Sequence, residues 1–370
     1  MKIFVLSILV LFFTLTGIAY AETPAYGNWT EITNNADFGP KGYFGSCSFD
    51  NQLWVIGGSD DRGNFTNDVW SSFDGKNWNL ITSNASFSPR VSFGVAEFNN
   101  RLWVIGGASK ESGMNDIWSS RDGKNWDLVT TNANFTPRSD MGVTVFDNRL
   151  WVIGGYDSKA INDVWSSRDG KDWILVTSNA NFSPRYSPGV AVFDNRLWVI
   201  GGAETNEVWS SQNGKNWILV NGSAPFKKME FTPVAVLDNK LWIVGGGSYS
   251  PTHQTSHPRE TAYDEIWSSP DGNNWTLETE HAGFGPRFLH GVIVFKNGIW
   301  VIGGMGTNFK DVWYMPSLRP QQTPEASSPL ITSTRPGLPQ TTAKAGSSPL
   351  PICVSLCIAA GVYLDLARRN

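Results

Sequence analysis

The sequence predicts an all-β protein, a six-bladed β-propeller of four-stranded antiparallel blades, and three observations carry this prediction. The motif Leu-Trp-(Val/Ile)-(Ile/Val)-Gly-Gly occurs five times, and a sixth copy has Ile in place of Leu. Its Gly pairs begin at residues 57, 106, 154, 201, 245 and 303, so the motif recurs every 44 to 58 residues. The 370 residues include 37 Gly and 20 Pro, and they show no long amphipathic helical pattern. Repeats of this length with many turn residues are typical of blades arranged in a ring.

Each repeat predicts four short strands. The first resembles Gly189–Phe193, the second is the Leu-Trp motif, the third reads Asp-Val-Trp-Ser-Ser, and the fourth begins at a Trp, as in Trp173–Thr177. Asp-Asn pairs such as Asp147-Asn148 separate the first two strands, and Asp-Gly pairs such as Asp169-Gly170 separate the last two. These residues tolerate positive φ, so both kinds of pair are expected to form two-residue type I′ hairpins.

The 18 tryptophans fall into three for each of six units. Seventeen lie in strands two, three and four of the repeats, and the eighteenth, Trp29, precedes the first Gly pair. Its context matches the fourth strand, which the last repeat lacks. We therefore expect residues 28–33 to form the fourth strand of the last blade and to close the ring.

These repeats resemble the kelch family and, through it, the propeller domain of galactose oxidase. The resemblance covers residues 26–316 and rests on the double Gly ending strand two, the Trp of strand four and the Pro-Arg before strand one. The Trp of strand three stands where kelch repeats more often carry Tyr. A second resemblance, to the Asp-box hairpin of sialidases, rests on Ser-x-Asp-Gly-x-x-Trp at Ser120–Trp126, one residue short of that motif.

The resemblance implies a binding propeller and leaves room for an enzyme. Galactose oxidase chemistry needs a Cys–Tyr cofactor and His ligands, whereas the propeller's only Cys, Cys47, lies inside a predicted strand, so that chemistry is excluded. Exported six-bladed kelch proteins include sialic acid epimerases, which need a Glu or Asp base and an Arg. The kelch likeness therefore keeps an epimerase-like carbohydrate enzyme as the alternative function.

Both ends of the chain differ from the repeats. Residues 1–21 predict a signal peptide, with Lys2 before an apolar stretch and Ala19-Tyr20-Ala21 as the cleavage site; an uncleaved anchor is the alternative. Residues 22–316 are assigned to the propeller and residues 317–349 to a Pro/Ser/Thr-rich stalk. Residues 350–370 are short for a membrane span and predict an apolar anchor or sorting signal, with a disordered tail as the alternative. We therefore expect an exported, extracellular, cell-surface or membrane-anchored protein.

The net charge and the cysteine content argue against several classes of ligand and cofactor. The net charge is −4 and no segment is strongly basic, which argues against nucleic acid. Three Cys without a CxxC pair argue against a disulfide scaffold or a structural zinc. His253 and His257 have no carboxylate or Cys at ligand spacing, so neither a metal nor any other cofactor is expected.

Charged residues also recur in the repeats. Acidic residues begin strand three at Asp68, Asp116, Asp163, Glu207, Glu265 and Asp311. Basic residues precede strand one at Arg90, Arg138, Arg185 and Arg287, with Lys41 and Lys228 near the other two positions. They would either line a pocket or form Arg–carboxylate bridges between blades, and their repetition favours the bridges.

Ligand-binding residues are expected where the repeats differ, in the loops between strands two and three and between blades. The longest such segment is Gly247–Asp264, which we predict to be a loop that contacts the ligand. The candidates are Arg62, Lys110, Asp140, Tyr156, Tyr186, Tyr249, His253, His257 and Arg259. Arg and Tyr suit a sugar or an acidic peptide. No catalytic set is recognised, so the sequence predicts a monomeric, non-catalytic extracellular module that binds a glycan or a protein.

Overall fold

A computed structural model of the protein describes residues 28–250, 259–305 and 310–318. In these segments 25 strands form six antiparallel sheets arranged as a propeller ring, which confirms the predicted fold class. A short first strand β1 (Thr30–Thr33) and a two-residue strand β2 (Lys41–Gly42) precede the first complete blade. No helix in these segments is long and apolar enough to cross a membrane.

Five blades are each built from four consecutive strands. Blade 1 comprises β3 (Gly45–Phe49), β4 (Gln52–Asp60), β5 (Phe65–Ser72) and β6 (Asn79–Thr82), and blade 2 comprises β7 (Gly94–Glu97), β8 (Leu102–Ala108), β9 (Gly113–Ser120) and β10 (Trp126–Thr130). Blade 3 comprises β11 (Gly142–Phe146), β12 (Arg149–Tyr156), β13 (Ala160–Ser167) and β14 (Trp173–Thr177). Blade 4 comprises β15 (Gly189–Phe193), β16 (Arg196–Ile200), β17 (Val208–Ser211) and β18 (Ile218–Asn221), and blade 5 comprises β19 (Val234–Leu237), β20 (Lys240–Ser250), β21 (Arg259–Ser269) and β22 (Thr276–Thr279).

Blade 6 is completed by the N-terminal strand. It contains β23 (Gly291–Phe295), β24 (Gly298–Ile302) and β25 (Val312–Pro316), and β1 pairs antiparallel with β25, with Thr30 opposite Tyr314. The prediction that residues near 28–33 close the ring is confirmed. Because the inner strands of neighbouring blades contact one another all the way round, the ring has no open side.

The two kinds of predicted hairpin have different outcomes. Both residues of each Asp-Asn pair have positive φ, 49° and 52° at Asp147 and Asn148, as a type I′ turn requires. The Asp-Gly pairs do not form two-residue hairpins, so that prediction is wrong. Their turns are longer, because Asp74 accepts the backbone N–H groups of Lys76 and Asn77 at 2.9 and 2.8 Å, and only the Gly has positive φ.

Strand-two tryptophans join each blade to the next. The indole N–H of Trp103 donates to the carbonyl of Phe98 at 2.8 Å, and its ring lies against Gly170 in the turn of the following blade, where a Cβ atom would overlap the ring. The same contact recurs at Trp300–Gly75, Trp54–Gly123, Trp151–Gly214 and Trp198–Gly272. Six apolar clusters, one at each junction between neighbouring blades, make up the core.

The recurring charges form bridges, as expected. The Arg90 backbone is hydrogen-bonded to Gly58 and Thr66 of blade 1, while its guanidinium donates to both carboxylate oxygens of Asp116 in blade 2 at 2.8 Å. Equivalent pairs are Lys41–Asp68, Arg138–Asp163, Arg185–Glu207 and Arg287–Asp311. Burial alone would raise the pKa of Asp116, but the hydrogen bonds and charge of Arg90 lower it.

Blade 5 departs from this pattern, and Lys228 is not the partner that the sequence suggested. The strand register places the buried Met229 where the other blades carry Arg. Glu265 instead has Lys227 at 3.7 Å, from a side chain that is more than half exposed. The cation of this pair therefore lies two residues earlier in the chain than the recurring Arg.

Candidate functional site

The propeller has two different faces. The loop face carries the loops between strands two and three, together with the segments that precede the inner strands. On this face Val91 bridges to Ala108, and Ser139 exchanges backbone hydrogen bonds with Tyr156 at 2.9 and 3.0 Å. The opposite turn face carries the Asp-Asn turns and the Ser-x-Asp-Gly-x-x-Trp turns. The variable loops therefore converge on one face, as the sequence predicted.

A cavity opens where the central channel meets the loop face. It has a volume of about 210 Å³, and a second cavity of about 310 Å³ lies along the glycine-rich starts of the inner strands. One structurally equivalent residue from each blade lines the first cavity. It lies two positions after the recurring cation or, in blade 5, two positions after Met229. We call these six residues the channel rim: Tyr43, Ser92, Asp140, Ser187, Phe231 and Leu289.

The channel rim has an unusual backbone conformation. Five of its residues have positive φ between 49° and 57°, which is uncommon for residues other than glycine. Backbone N–H groups link the rim across blades 1 to 4, with Ser92 donating to Tyr43 at 3.2 Å, Asp140 to Ser92 at 2.9 Å and Ser187 to Asp140 at 2.6 Å. Phe231 instead donates to Gly247 of its own blade at 3.0 Å. The rim is thus held by its backbone, which leaves its side chains free to differ.

Asp140 is the one charged side chain of the channel rim. Its carboxylate accepts hydrogen bonds from the hydroxyls of Ser139 at 2.6 Å and Ser187 at 3.2 Å, and Ser92 contributes a third. The side chain is partly exposed to the channel and enclosed by protein on its other sides. Burial raises the pKa of Asp140, although the three serine hydroxyls act in the opposite direction. An ionisable group perturbed in this way within a cavity is a feature of functional sites.

A tyrosine pair and a second carboxylate lie beside the rim. The Tyr186 hydroxyl donates to Glu230 Oε1 at 2.9 Å, and the ring of Tyr156 stands edge-on to Tyr186 with centroids 6.0 Å apart. Burial and then the hydrogen bond to Glu230 raise the pKa of Tyr186 to about 12, with further contributions from Glu204 and Asp140. Tyr186 is therefore neutral at physiological pH, and the charge in this region is negative.

Two other titratable groups are fixed in single protonation states. His290 lines both cavities, its Nε2 lies 2.9 Å from the carbonyl of Val244, and burial lowers its pKa to about 3, so it is neutral. Burial, and to a smaller extent the negative charge of Glu97, raises the pKa of Cys47 to about 12. This thiol in the interior of a strand is therefore protonated. His281 is exposed and lies 3.4 Å from Asp264, where blades 1 to 3 pair two Asn residues. The described segments contain no group of three or more His, Cys, Asp or Glu placed to hold a metal ion.

The predicted ligand-binding residues that the structure describes fall in three places, namely blades 3 and 4, blades 1 and 2, and the long segment of blade 5. Asp140, Tyr156 and Tyr186 lie together on blades 3 and 4. Arg62 is an exposed residue of the β4–β5 loop, and the Lys110 ammonium lies 5.9 Å from the centroid of the Phe65 ring in the neighbouring blade. These two cations are therefore on blades 1 and 2.

The long segment of blade 5 is largely a strand ladder. The predicted loop Gly247–Asp264 is wrong at both ends, because β20 and β21 remain paired out to Ser250 and Arg259. Tyr249 and Arg259 lie on these strands, and His253 and His257 lie outside the described residues. The β-propensity of Tyr and Thr on both sides favours the extended hairpin.

The sequence-based candidates omitted most of the channel rim. Tyr43, Ser92, Ser187, Phe231 and Leu289 were not singled out, nor was Glu230 placed among the binding residues. The available signal lies in an alignment of the six repeats. At the position two residues after the recurring Arg, five different residue types occupy the six equivalent positions. In blade 5 Met229 replaces this Arg, so only the strand register of the structure aligns Phe231 with the other rim residues.

Comparison with known proteins agrees with this architecture. Residues 19–202 match the family model of the KLHDC2/KLHL20/DRC7 Kelch-repeats domain. No curated protein matches the chain. The remaining repeats continue the same four-stranded pattern, the Trp198–Gly272 contact repeats the packing between blades, and the Arg–carboxylate bridge recurs in blade 6. The chain therefore carries kelch repeats that fold into a six-bladed β-propeller.

Proposed function

We propose that this protein is a non-catalytic module that binds a protein ligand with its loop face. Kelch propellers are general protein-interaction domains, and here the varied residues are gathered on one face. The observation that carries the proposal is the channel rim, where one backbone geometry presents five residue types around a cavity. A fixed scaffold with varied side chains is the usual arrangement of a recognition surface.

Two other ligand classes are less well supported. An epimerase-like enzyme would need an Arg beside its acidic base, and no Arg is found among the described residues that line the channel-mouth cavity. A glycan would be expected to stack on exposed aromatic rings, and Tyr156, 45% exposed, is the most accessible ring beside the rim. The strand-two tryptophans are used between blades instead. Glycan binding therefore remains the second candidate.

We also propose that the propeller acts outside the cell. Residues 1–21 would direct export and be removed before Glu22, and residues 350–370 would anchor or sort the protein at the cell surface after the stalk of residues 317–349. The mature N-terminus, determined by mass spectrometry, is expected at Glu22. Labelling of intact cells with an impermeant amine reagent should modify the propeller lysines, and complete protection of those lysines would contradict surface display.

Site-specific photo-crosslinking on intact cells tests the proposed function. A photoreactive amino acid is placed at Tyr156 on the loop face or, as a matched control, at Phe73 on the turn face, which is 54% exposed. Crosslinked protein adducts are expected from position 156 and not from position 73. Equal adducts from both positions, or adducts only from 73, would contradict loop-face binding. Adducts that disappear after glycosidase treatment would favour the glycan, and anomer exchange of sialic acid followed by NMR would favour the enzyme.

A further inference from the structure

We infer that the channel mouth binds a cationic side chain, a lysine or arginine of the partner protein, with Asp140 as its counter-charge. This inference rests on the proposed function, because it names the chemistry of the ligand that the loop face would bind. The blades differ in charge at the channel rim. At the six equivalent positions of the channel rim, five residues are neutral and Asp140 alone carries a charge.

The carboxylate of Asp140 has hydrogen-bond donors but no counter-ion among the described residues. Its donors are the neutral hydroxyls of Ser139, Ser187 and Ser92. No Lys, Arg or His in the described parts of the chain forms an ion pair with it or lowers its pKa. By contrast, the carboxylates of Asp116 and Asp163 each accept hydrogen bonds from both terminal nitrogens of an Arg guanidinium.

An enclosed carboxylate without a counter-ion is costly, and proteins normally pair such charges. No such pair is seen for Asp140 among the described residues, although five other carboxylates of the propeller have one. A ligand cation would complete the site, and it would gain a charge-assisted hydrogen bond in a region partly shielded from water. The neighbouring carboxylates Glu204 and Glu230, which both act on Tyr186, add to the negative potential at this side of the cavity.

The walls of the cavity suit the remainder of such a side chain. Tyr43 and Phe231 stand edge-to-face across the rim with ring centroids 6.4 Å apart, and both line the cavity together with Leu289. Aromatic faces attract ammonium and guanidinium groups and also pack against the methylene stem. A volume of about 210 Å³ accommodates one side chain rather than a folded segment. The geometry therefore favours a single lysine or arginine inserted from a bound partner.

The first experiment tests the chemistry of the cavity with a defined probe. The full mature chain, labelled with ¹³C at the Asp carboxyl carbons, is titrated with n-butylammonium chloride, and NaCl at equal ionic strength is the control. A saturable shift of the Asp140 carboxyl resonance, which is assigned by its absence in D140N, is expected with n-butylammonium only. D157N, which changes a carboxylate on the same face outside the cavity, should retain it. Equal responses to n-butylammonium and NaCl, or no saturable shift, would overturn the inference.

The second experiment separates this inference from the proposed function. The crosslinking of position 156 to its protein partner is repeated in D140N and D157N, after circular dichroism has established that both variants are folded. D140N should reduce the adduct yield about tenfold or more, as expected for the loss of a charge-assisted contact, and D157N should not. Adducts from the wild type that persist in D140N would overturn the cation assignment and leave loop-face binding intact. Absence of adducts from all variants would count against the proposed function, and the amine titration would then decide the cation site by itself.

Discussion

The two faces of the propeller follow different rules although the same strands connect them. On the turn face, the strand-two indoles donate to the end of strand one at 2.8 to 2.9 Å in every blade, and glycines in five following turns make room for the rings. On the loop face, the channel rim keeps its backbone conformation in five blades but changes its side chain almost every time. Packing between blades thus fixes one face, whereas the other is free to vary.

Repetition, rather than the choice of face, marks the structural residues. The Arg–carboxylate bridges lie towards the loop face and also recur, in four blades with Arg and in blade 1 with Lys41. The channel rim lies two residues further along the same segments and varies freely. A charged residue on the loop face is therefore structural when it recurs in register, and it is a candidate for binding when it occurs once.

The largest loss of stability is expected from breaking one of the repeated bridges. Asp163→Ala leaves the fully buried Arg138 without its carboxylate and should reduce the free energy of unfolding by about 3–5 kcal/mol. Asp127→Ala removes an exposed pair with Arg101 and should cost less than about 1 kcal/mol, since the Asp127 side chain is 74% exposed. Urea denaturation of both variants measures the difference, and equal losses would mean that burial does not govern these pairs.

A glycine substitution tests the packing of the turn face against the openness of the loop face. Gly170→Ala introduces a Cβ that overlaps the Trp103 ring at a φ of 73°, so a loss of about 2–4 kcal/mol is expected. Gly63 has a φ of 75°, but a Cβ atom there would meet no atom within 4 Å. Gly63→Ala should therefore cost only the strain of a left-handed backbone at alanine, about 1–2 kcal/mol. Thermal unfolding compares the two. A Gly63 variant as unstable as the Gly170 variant would contradict the contrast between the faces.

These effects bear on what the sequence alone predicted. The blade number, the strands and the closure by β1 followed from the Trp and Gly spacing, because those residues make the contacts between blades that define the fold. The Asp-Gly turns were misassigned because the Asp side chain, and not the backbone twist alone, sets the turn length. The rim was missed because its residues share a backbone position and no side-chain type. Of the predicted site, Asp140, Tyr156 and Tyr186 are adjacent in space, a proximity that depends on how the blades are arranged around the axis.

Acid should weaken the Asp-containing turns of the turn face. Burial would raise the pKa of Asp74 and Asp122, but hydrogen bonds from Asn77 and Asn125 lower both from 3.8 to about 2. A depressed pKa contributes stability above pH 4 that is lost as the pH falls towards 2. Asp122→Ala should cost about 1 kcal/mol at pH 7, as for other carboxylates that cap backbone amides, and progressively less below pH 4. Blade 4 provides a natural control, because Asn213 accepts the same amides without titrating.

Asp140 should show the opposite behaviour. Because burial raises its pKa, its ionised form costs stability in the folded protein, and that cost is relieved as the pH falls through the raised value. Asp140→Asn should therefore keep the free energy of unfolding within about 1 kcal/mol of the wild type at pH 7, on the stabilising side. Denaturation at pH 7 and pH 4 measures both variants. A clear destabilisation by D140N at pH 7 would place Asp140 with the structural carboxylates such as Asp163.

The smallest effect on folding is expected from shortening the β20–β21 hairpin. The ladder is complete at Ser250 opposite Arg259, so replacing residues 251–258 with a two-residue Asn-Gly turn preserves the paired strands. Loop closure changes only slowly with loop length, and the free energy of unfolding should change by about 0.5 kcal/mol or less. Ligand binding by the shortened variant tests whether the removed residues take part in recognition. If His253 and His257 contribute to recognition, crosslinking from position 156 should fall in the shortened variant, whereas an unchanged yield would confine recognition to the channel rim and its neighbours on blades 3 and 4.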